Sequence, residues 1–107
     1  MPADSSAAAI IADKLPNSTV VKAFNTSFSE TLATKKVSNK HQTTVLLASD
    51  SQQANDQIFR ALEKSGLSLV DAGSLKRARE LEALGFLQIS LAASEKISWN
   101  GGFGLFK

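Results

Sequence analysis

The stretch from Leu67 to Ala93 constrains the fold more than any other part of the sequence. A short apolar run, Leu67–Val70, is followed by the turn-forming residues 71–73 and by Ser74, a residue typical of helix N-caps. Apolar residues then recur at every third or fourth position. The pattern predicts a strand, a tight turn and a long helix over 75–93.

The helix predicted over 75–93 changes character half-way along. Its first half has a charged side, formed by Lys76, Arg77, Arg79 and Glu80, and an apolar side, formed by Leu75, Ala78, Leu81 or Glu82, Leu84 or Gly85, and Gln88. From Ala83 to Ala93 only Gln88 and Ser90 are polar. A helix that is apolar all round must be buried, so its second half either runs through the middle of the fold or packs against another subunit. We therefore expect a homodimer or higher oligomer joined through 83–93 and the strand edge at 19–24.

The remaining pattern predicts an α/β fold with a sheet of about three mainly parallel strands and helices on its faces. The strands are expected in the order 19–24, 43–48, 67–71, because the apolar run Thr44–Ala48 has the composition of a central strand. A crossover helix over 51–65, capped by Asp50 or Ser51, would make the last two strands parallel neighbours. Further expected elements are a first helix from Asp4 or Ser5 to Leu15, a helical turn over 28–33 capped by Ser27, and a surface loop over 34–42. The expected inward residues are Ala7, Ala8, Ile11 and Leu15 in the first helix and Ala54, Ile58, Ala61 and Leu62 in the crossover helix.

Composition indicates a single domain, residues 1–107, and excludes several classes of function. The net charge is only +2 and the basic residues are scattered, so nucleic acid is not an expected partner. The sequence has no cysteine, which excludes disulfides and thiolate metal sites. Neither a membrane-spanning segment nor a basic signal-peptide region is recognisable. We therefore expect a cytoplasmic protein with no nucleic-acid or membrane partner.

Few residues point to chemistry on their own, and no catalytic or metal-binding set is predicted. His41 lies in a polar segment that carries no catalytic or metal-ligand motif. Ser74, Lys76 and Arg77 could share an anion at the start of the long helix, where cations are otherwise disfavoured. The alternative is that these cations pair with Asp71 or Glu80 on the surface. The glycine-rich segment 98–104 cannot be a helix, and it lacks the flanking strand and helix of a dinucleotide-binding fingerprint.

Two strings, VKAFNT at 21–26 and DAGSLKRARELEALGFLQI at 71–89, carry a family resemblance, and PADSSAAAIIADKLP at 2–16 extends it. The sequence resembles the C-terminal part of NADP-dependent oxidoreductases of the deazaflavin-reductase type, including the related bacterial dinucleotide-binding proteins. The resemblance implies a partial Rossmann-like three-layer unit, starting after the half that carries the glycine fingerprint. It also implies that Phe24, Asn25, Thr26 and Ser27 border a nicotinamide cleft, and that Trp99, Gly101 and Gly102 approach a second cofactor, a deazaflavin or flavin.

Three hypotheses about function remain open at this point. The chain is a truncated homologue without catalysis of its own that serves in oligomerisation or interaction. Alternatively, it is one half of an oxidoreductase that transfers hydride between NADP and a flavin-like cofactor, with a second polypeptide carrying the other half. The third hypothesis is a small-ligand-binding α/β domain. In every case we expect the isolated chain to have no cofactor and to bind NADP weakly or not at all, because the glycine loop that binds the pyrophosphate is missing.

Overall fold

The computed structural model describes residues 4–105 of the chain. The helices are α1 (Ala7–Lys14), α2 (Ser29–Thr34), α3 (Gln52–Leu62) and α4 (Ala78–Ala93), with a 3₁₀ turn at Leu75–Arg77 directly before α4. The strands are β1 (Val21–Ala23), β2 (Lys36–Val37), β3 (His41–Gln42), β4 (Thr44–Ser49) and β5 (Ser68–Gly73). No helix within residues 4–105 is long and apolar enough to cross a membrane.

The main sheet has three strands in the order β1-β4-β5. Strands β4 and β5 are parallel, with Thr44 opposite Ser68 and Leu46 opposite Val70, and α3 connects them. Strand β1 is antiparallel to β4, with Ala23 opposite Leu47. The sequence therefore predicted the α/β class, the strand order and the parallel pair, and the structure confirms them.

Strand β1 is antiparallel because the chain returns to the sheet at the end where it left. The connection from β1 to β4 contains only the six-residue helix α2 and a two-stranded β2-β3 hairpin, and neither crosses the sheet. Two hydrogen bonds hold Thr43 at this end: its N–H donates to Lys35 O (2.9 Å) and its Oγ1 donates to Thr31 O (2.6 Å). A parallel arrangement would require a crossover back to the other end of the sheet.

The β2-β3 hairpin lies where the sequence predicted a surface loop over 34–42. Its turn places Ser38 and Asn39 at positive φ, 53° and 60°, and the Lys40 N–H donates to Val37 O (3.1 Å). Tight hairpin turns contain residues in this left-handed conformation, and glycine usually occupies at least one of these positions. The prediction of a loop was wrong because Ser-Asn is a weak hairpin signal.

The core is built on β4, as the apolar run predicted. Val45, Leu47 and Ala48 are completely buried. Beside them, Ala8 of α1 packs against Leu75 and Ala78 at the start of α4. Helix α3 covers the other part of β4 less tightly: its buried residue is Asn55, whereas Ala61, predicted to face inward, is exposed.

Helix α1 faces the core with only part of the predicted stripe. Ala8 is buried, and Ala12 packs against the same cluster. Ile11 and Leu15 are each 49% exposed, so the prediction that they lie inward was wrong. The reason is that the small side chains Ala8 and Ala12, four residues apart, allow α1 to lie close to the 3₁₀ turn, and this turns the larger residues outward.

Glu82 of α4 fixes the start of α1. Its carboxylate accepts hydrogen bonds from the N–H groups of Ala7 (2.7 Å) and Ala8 (3.1 Å), while Ser6 Oγ accepts from Ala9 N–H (3.0 Å). Lys22 Nζ of β1 lies 3.6 Å from the same carboxylate. Burial raises the pKa of Glu82, but the two backbone donors and the Lys22 ammonium lower it by more, so its pKa lies below that of an ordinary glutamate.

Helix α4 lies on the surface of the protomer. Its buried residues are Ala78, Leu81, Gly85, Gln88 and Ala92, which form one face. Phe86 is 73% exposed, Leu87 48% and Ile89 50%. The second half of α4, expected to be buried on all sides, is therefore exposed on one side within the described chain. This excludes the alternative that the helix runs through the middle of the fold.

Candidate functional site

A small cleft lies where the loop after β1 meets α4 and the glycine-rich tail. The cleft has a volume of about 110 Å³ and is lined by Thr26, Thr44, Leu46, Leu84, Phe103, Gly104 and Leu105. Because β1 is antiparallel to β4, the end of β1 and the start of β4 meet at this edge of the sheet. The loop 24–27 and the tail 99–103, both proposed from the family resemblance as cofactor-binding segments, therefore approach each other.

Gln88 holds these two segments together. Its side chain is buried, with Nε2 donating to Thr26 O (2.6 Å) and Oε1 accepting from Phe103 N–H (3.0 Å). Gly102 makes the close approach possible, since a Cβ at this position would stand 2.8 Å from Gln88 Oε1. Both polar ends of a buried amide are thus satisfied, one by each segment.

The loop 24–27 is held against α4 by Asn25. Its Nδ2 donates to Leu81 O (2.6 Å), and its Oδ1 is buried without a hydrogen-bond partner in the described structure. Phe24 has a φ of 68°, a strained value for a bulky residue, and Ser27 Oγ donates to Thr44 O (3.4 Å). Strain and an unsatisfied buried polar atom are features that concentrate at functional sites.

Trp99 and Gly101 lie beside the cleft and do not line it. The Trp99 ring packs against Phe28 with 5.0 Å between ring centroids and an angle of 59°. The next residue, Asn100, accepts a hydrogen bond at its backbone O from Ser38 N–H (2.8 Å) of the hairpin. These contacts attach the tail to α2 and to the β2-β3 hairpin, so Trp99 positions the segment that carries Phe103.

The three residues proposed from the sequence as an anion site have different surroundings in the structure. The Ser74 side chain makes no capping hydrogen bond, and Asp50 Oδ1 accepts from Leu75 N–H (3.0 Å) at the start of the turn. Arg77 pairs with Glu80 at 2.6 Å, which is the surface pairing that the sequence left open. Lys76 lines a separate groove of about 270 Å³ beside Asp50 and Arg79. Anion binding at these residues stays a prediction.

Sequence reasoning missed the roles of Gln88, Thr44 and Leu84 in the cleft. Gln88 had been assigned to the buried side of the helix, and an amide within an apolar run was the available signal that a buried polar contact exists. Among residues 4–105 the structure brings no three histidine, cysteine or carboxylate side chains close enough to hold a metal ion.

No family model and no curated protein matches the sequence. A solved structure shares the fold. It is described as a candidate F420-dependent NADP reductase from Arthrobacter sp. FB24, and it superposes with a TM-score of 0.81 over 97% of this chain at 21% sequence identity. The chain spans 47% of the length of that protein, about half. The similarity confirms the Rossmann-like α/β fold predicted from the sequence.

Proposed function

We propose that this chain is the ring-binding half of an NADP-dependent oxidoreductase site and that a dinucleotide-binding half completes it. The observation that carries the proposal is the buried Gln88 side chain, which joins Thr26 of the VKAFNT loop to Phe103 of the glycine-rich tail. Both segments were proposed from the sequence as cofactor neighbours. The fold similarity to a protein described as an NADP reductase supports the same assignment.

The cleft fits part of a cofactor. At about 110 Å³ it is smaller than the roughly 300–1,000 Å³ of ordinary ligand sites, so it would accommodate only the edge of a planar ring. Leu46, Leu84 and Phe103 supply apolar walls. Asn25 Oδ1, within the loop 24–27, is buried without a hydrogen-bond donor in the described structure. A ligand or the completing half could supply this donor after a small movement of the loop.

The pyrophosphate of NADP does not fit this chain. Such groups bind at helix N-termini whose N–H groups are available. Here Glu82 and Ser6 occupy the N-terminus of α1, Asp50 occupies the start of the 3₁₀ turn, and Ser51 caps α3. Two of these groups are carboxylates, which would also repel a phosphate. Helix α2 has no side-chain cap but is only six residues long. We therefore expect the pyrophosphate site to come from outside residues 4–105.

When bound, NADP and a flavin-like partner would carry out the hydride transfer. This chain would position their rings and shield them from water. The Gln88 contacts fix the spacing between the loop and the tail. The apolar walls exclude water from the space that they enclose. Small displacements of such walls alter rates strongly, since reacting atoms must be held within a narrow range of distance and angle.

A chimera tests the proposal. In it, this chain replaces the segment of the Arthrobacter protein on which it superposes, and oxidation of NADPH is followed with F420 and with FMN as acceptors. We expect activity in the chimera and a loss of at least about tenfold in kcat/KM in its Gln88→Ala variant. Gln57→Ala, an exposed glutamine of α3, is the matched control and should be unchanged. A folded chimera that binds NADP⁺ but transfers no hydride would contradict the proposal.

An interaction role without chemistry is the second candidate function. The exposed side of α4 favours it, because Phe86, Leu87 and Ile89 are about half exposed or more and the cleft uses none of them. Exposed apolar patches on a small protein typically mark a site of association. An inactive chimera together with an associating native chain would favour this role over the first.

A further inference from the structure

The outward side of α4 forms a continuous apolar strip, the α4 face. It consists of Ala83, Phe86, Leu87, Ser90, Ala93 and Ser94, all of which are exposed. Their spacing of three, four and seven residues places them on one side of the helix, opposite the buried residues. Phe86 has the largest exposed fraction, 73%, among the large apolar side chains that the structure describes.

The α4 face contains no polar group that association would leave unsatisfied. Ser90 Oγ donates to Phe86 O (3.0 Å) and Ser94 Oγ donates to Ser90 O (2.7 Å), so both hydroxyl protons are already used within the helix. No charged residue occurs from Ala83 to Ser94. A partner that covers this face therefore meets neither an unpaired charge nor an unpaired donor, which are the usual penalties for burial.

We propose that the α4 face binds the α4 face of a second copy of this chain, with the two helices antiparallel. The inference rests on the second candidate function, and its test does not depend on the chimera. The face is complementary to itself: Ala83 and Ser90 are small, lie seven residues apart and flank the larger pair Phe86 and Leu87. When two such helices run in opposite directions, Ala83 of each copy lies level with Ser90 of the other. The small residues then let the helices approach closely, and the larger pair fills the centre.

Charge favours the antiparallel direction. By residue count, Arg79 then lies one position from the level of Glu95 of the second copy, although Arg77 lies level with Lys96. The antiparallel orientation also places the positive N-terminal end of each helix dipole beside the negative C-terminal end of the other. In a parallel pair, Glu95 would instead stand beside Glu95 of the second copy. The two-fold symmetry is the isologous type most common in dimers.

The area of the face sets the expected strength. From Ala83 to Ser94 the strip is about 18 Å long. A two-helix contact of this length covers less than the roughly 800 Å² per partner of a standard interface, so neighbouring apolar residues must take part. Leu87 lies one turn from Leu84, which shares the cleft with Phe103 and Leu105, and the latter two are 48% and 47% exposed. In the interaction role, which leaves the cleft unused, this tail surface is available to extend the interface, so we expect a dimer of only moderate affinity.

Sedimentation of the native chain and two variants tests the surface. We expect a dimer at tens of micromolar for the native chain, and a dissociation constant at least about 100-fold weaker for Phe86→Asp. Because Phe86 is so exposed, this variant should keep the native circular dichroism spectrum. Ile11→Asp places the same charge at a half-exposed apolar position on α1 and should leave the dimer intact. A native monomer at these concentrations overturns the proposal, and so does a dimer lost only in Ile11→Asp.

Disulfide cross-linking tests whether the two helices are antiparallel. Because the native sequence has no cysteine, only the introduced cysteines can form a disulfide. Positions 83 and 90 are about 10 Å apart along the helix. That separation exceeds the about 4.4–6.8 Å between Cα atoms that a disulfide spans, so they cannot be joined within one chain. We expect the double variant A83C/S90C to form a covalent dimer on oxidation and neither single variant to do so. Cross-linking of A83C alone indicates a parallel pair and overturns the antiparallel arrangement; no cross-link in a variant that sediments as a dimer overturns the α4 face.

Discussion

Gly85 allows the loop 24–27 to lie directly on α4. A Cβ at this position would stand 2.8 Å from both the Nδ2 and the backbone O of Asn25, far inside normal contact distance. Gly85→Ala should therefore destabilise the protein by about 1–3 kcal/mol, even though alanine is the better helix former by about 1 kcal/mol. Urea denaturation measures the difference. A stabilised Gly85→Ala variant would show that the loop does not press on the helix.

The matched control for this substitution is Gln57→Ala. It introduces an alanine on the exposed side of α3 and should change the free energy of unfolding by less than about 0.5 kcal/mol. Comparison of the two separates the steric effect of the close contact from the general effect of alanine in a helix.

Single side chains show where sequence reasoning reached its limit. Periodicity placed Gln88 on the buried side of its helix, and the structure confirms that. It gave no information about the partners of Gln88, because Thr26 and Phe103 lie 62 and 15 residues away in the chain. The same holds for Glu82, whose role as the cap of α1 depends on a contact across 75 residues. Burial follows a local pattern, whereas the identity of a distant polar partner does not.

The attachment of α1 to α4 depends on the charge of Glu82. Its folded-state pKa is lowered, so its contribution to stability is fully present above the unfolded-state pKa, about 4.3, and is lost as pH falls through the lower folded-state pKa. Glu82→Gln keeps the size of the side chain and removes the charge. We expect it to lower the free energy of unfolding by about 1–2 kcal/mol at pH 7 and to match the native chain once the pH is below the lowered folded-state pKa of Glu82. Urea denaturation as a function of pH measures this difference.

Glu80→Gln is the control for charge. Glu80 lies in the first turn of the same helix but is exposed and pairs with Arg77 on the surface, where ion pairs contribute little. Its substitution should leave the free energy of unfolding nearly unchanged. If Glu80→Gln and Glu82→Gln changed the free energy of unfolding equally at pH 7, the hydrogen bonds from α1 to Glu82 would contribute no stability beyond that of a surface charge.

Among the elements, the sequence was most informative where local signals and tertiary contacts agree. The β4-α3-β5 unit was predicted because an apolar strand, a Ser51 cap and a second apolar strand follow each other directly. The inward side of α1 was predicted incorrectly because alternative stripes exist on a short apolar helix, and only packing against Leu75 and Ala78 selects the alanine stripe. Close approach between backbones outweighed the burial of larger side chains.

At the scale of the whole molecule, residues 4–105 leave the α4 face and the edges of the main sheet uncovered. The outer edges of β1 and β5 each lack a strand partner within this range. An uncovered strand edge is a common place for another strand to pair. We propose the α4 face as the surface for a second copy and the β1 edge as the surface for a dinucleotide-binding half. The two proposals need different experiments, because pairing through the α4 face can be tested with this chain alone.

Binding of NADP⁺ by the isolated chain is the prediction that separates this protein most sharply from a complete dinucleotide-binding enzyme. We expect a dissociation constant weaker than about 1 mM by calorimetry. The reason is physical: Glu82, Asp50 and the serine caps occupy the N-termini of α1, the 3₁₀ turn and α3, and the cleft holds only a ring edge. Micromolar binding by the native chain would contradict the prediction. Its dependence on salt and on Lys76→Ala would then identify the groove beside Asp50 and Arg79 as the phosphate site, whereas dependence on Gln88→Ala would identify the cleft.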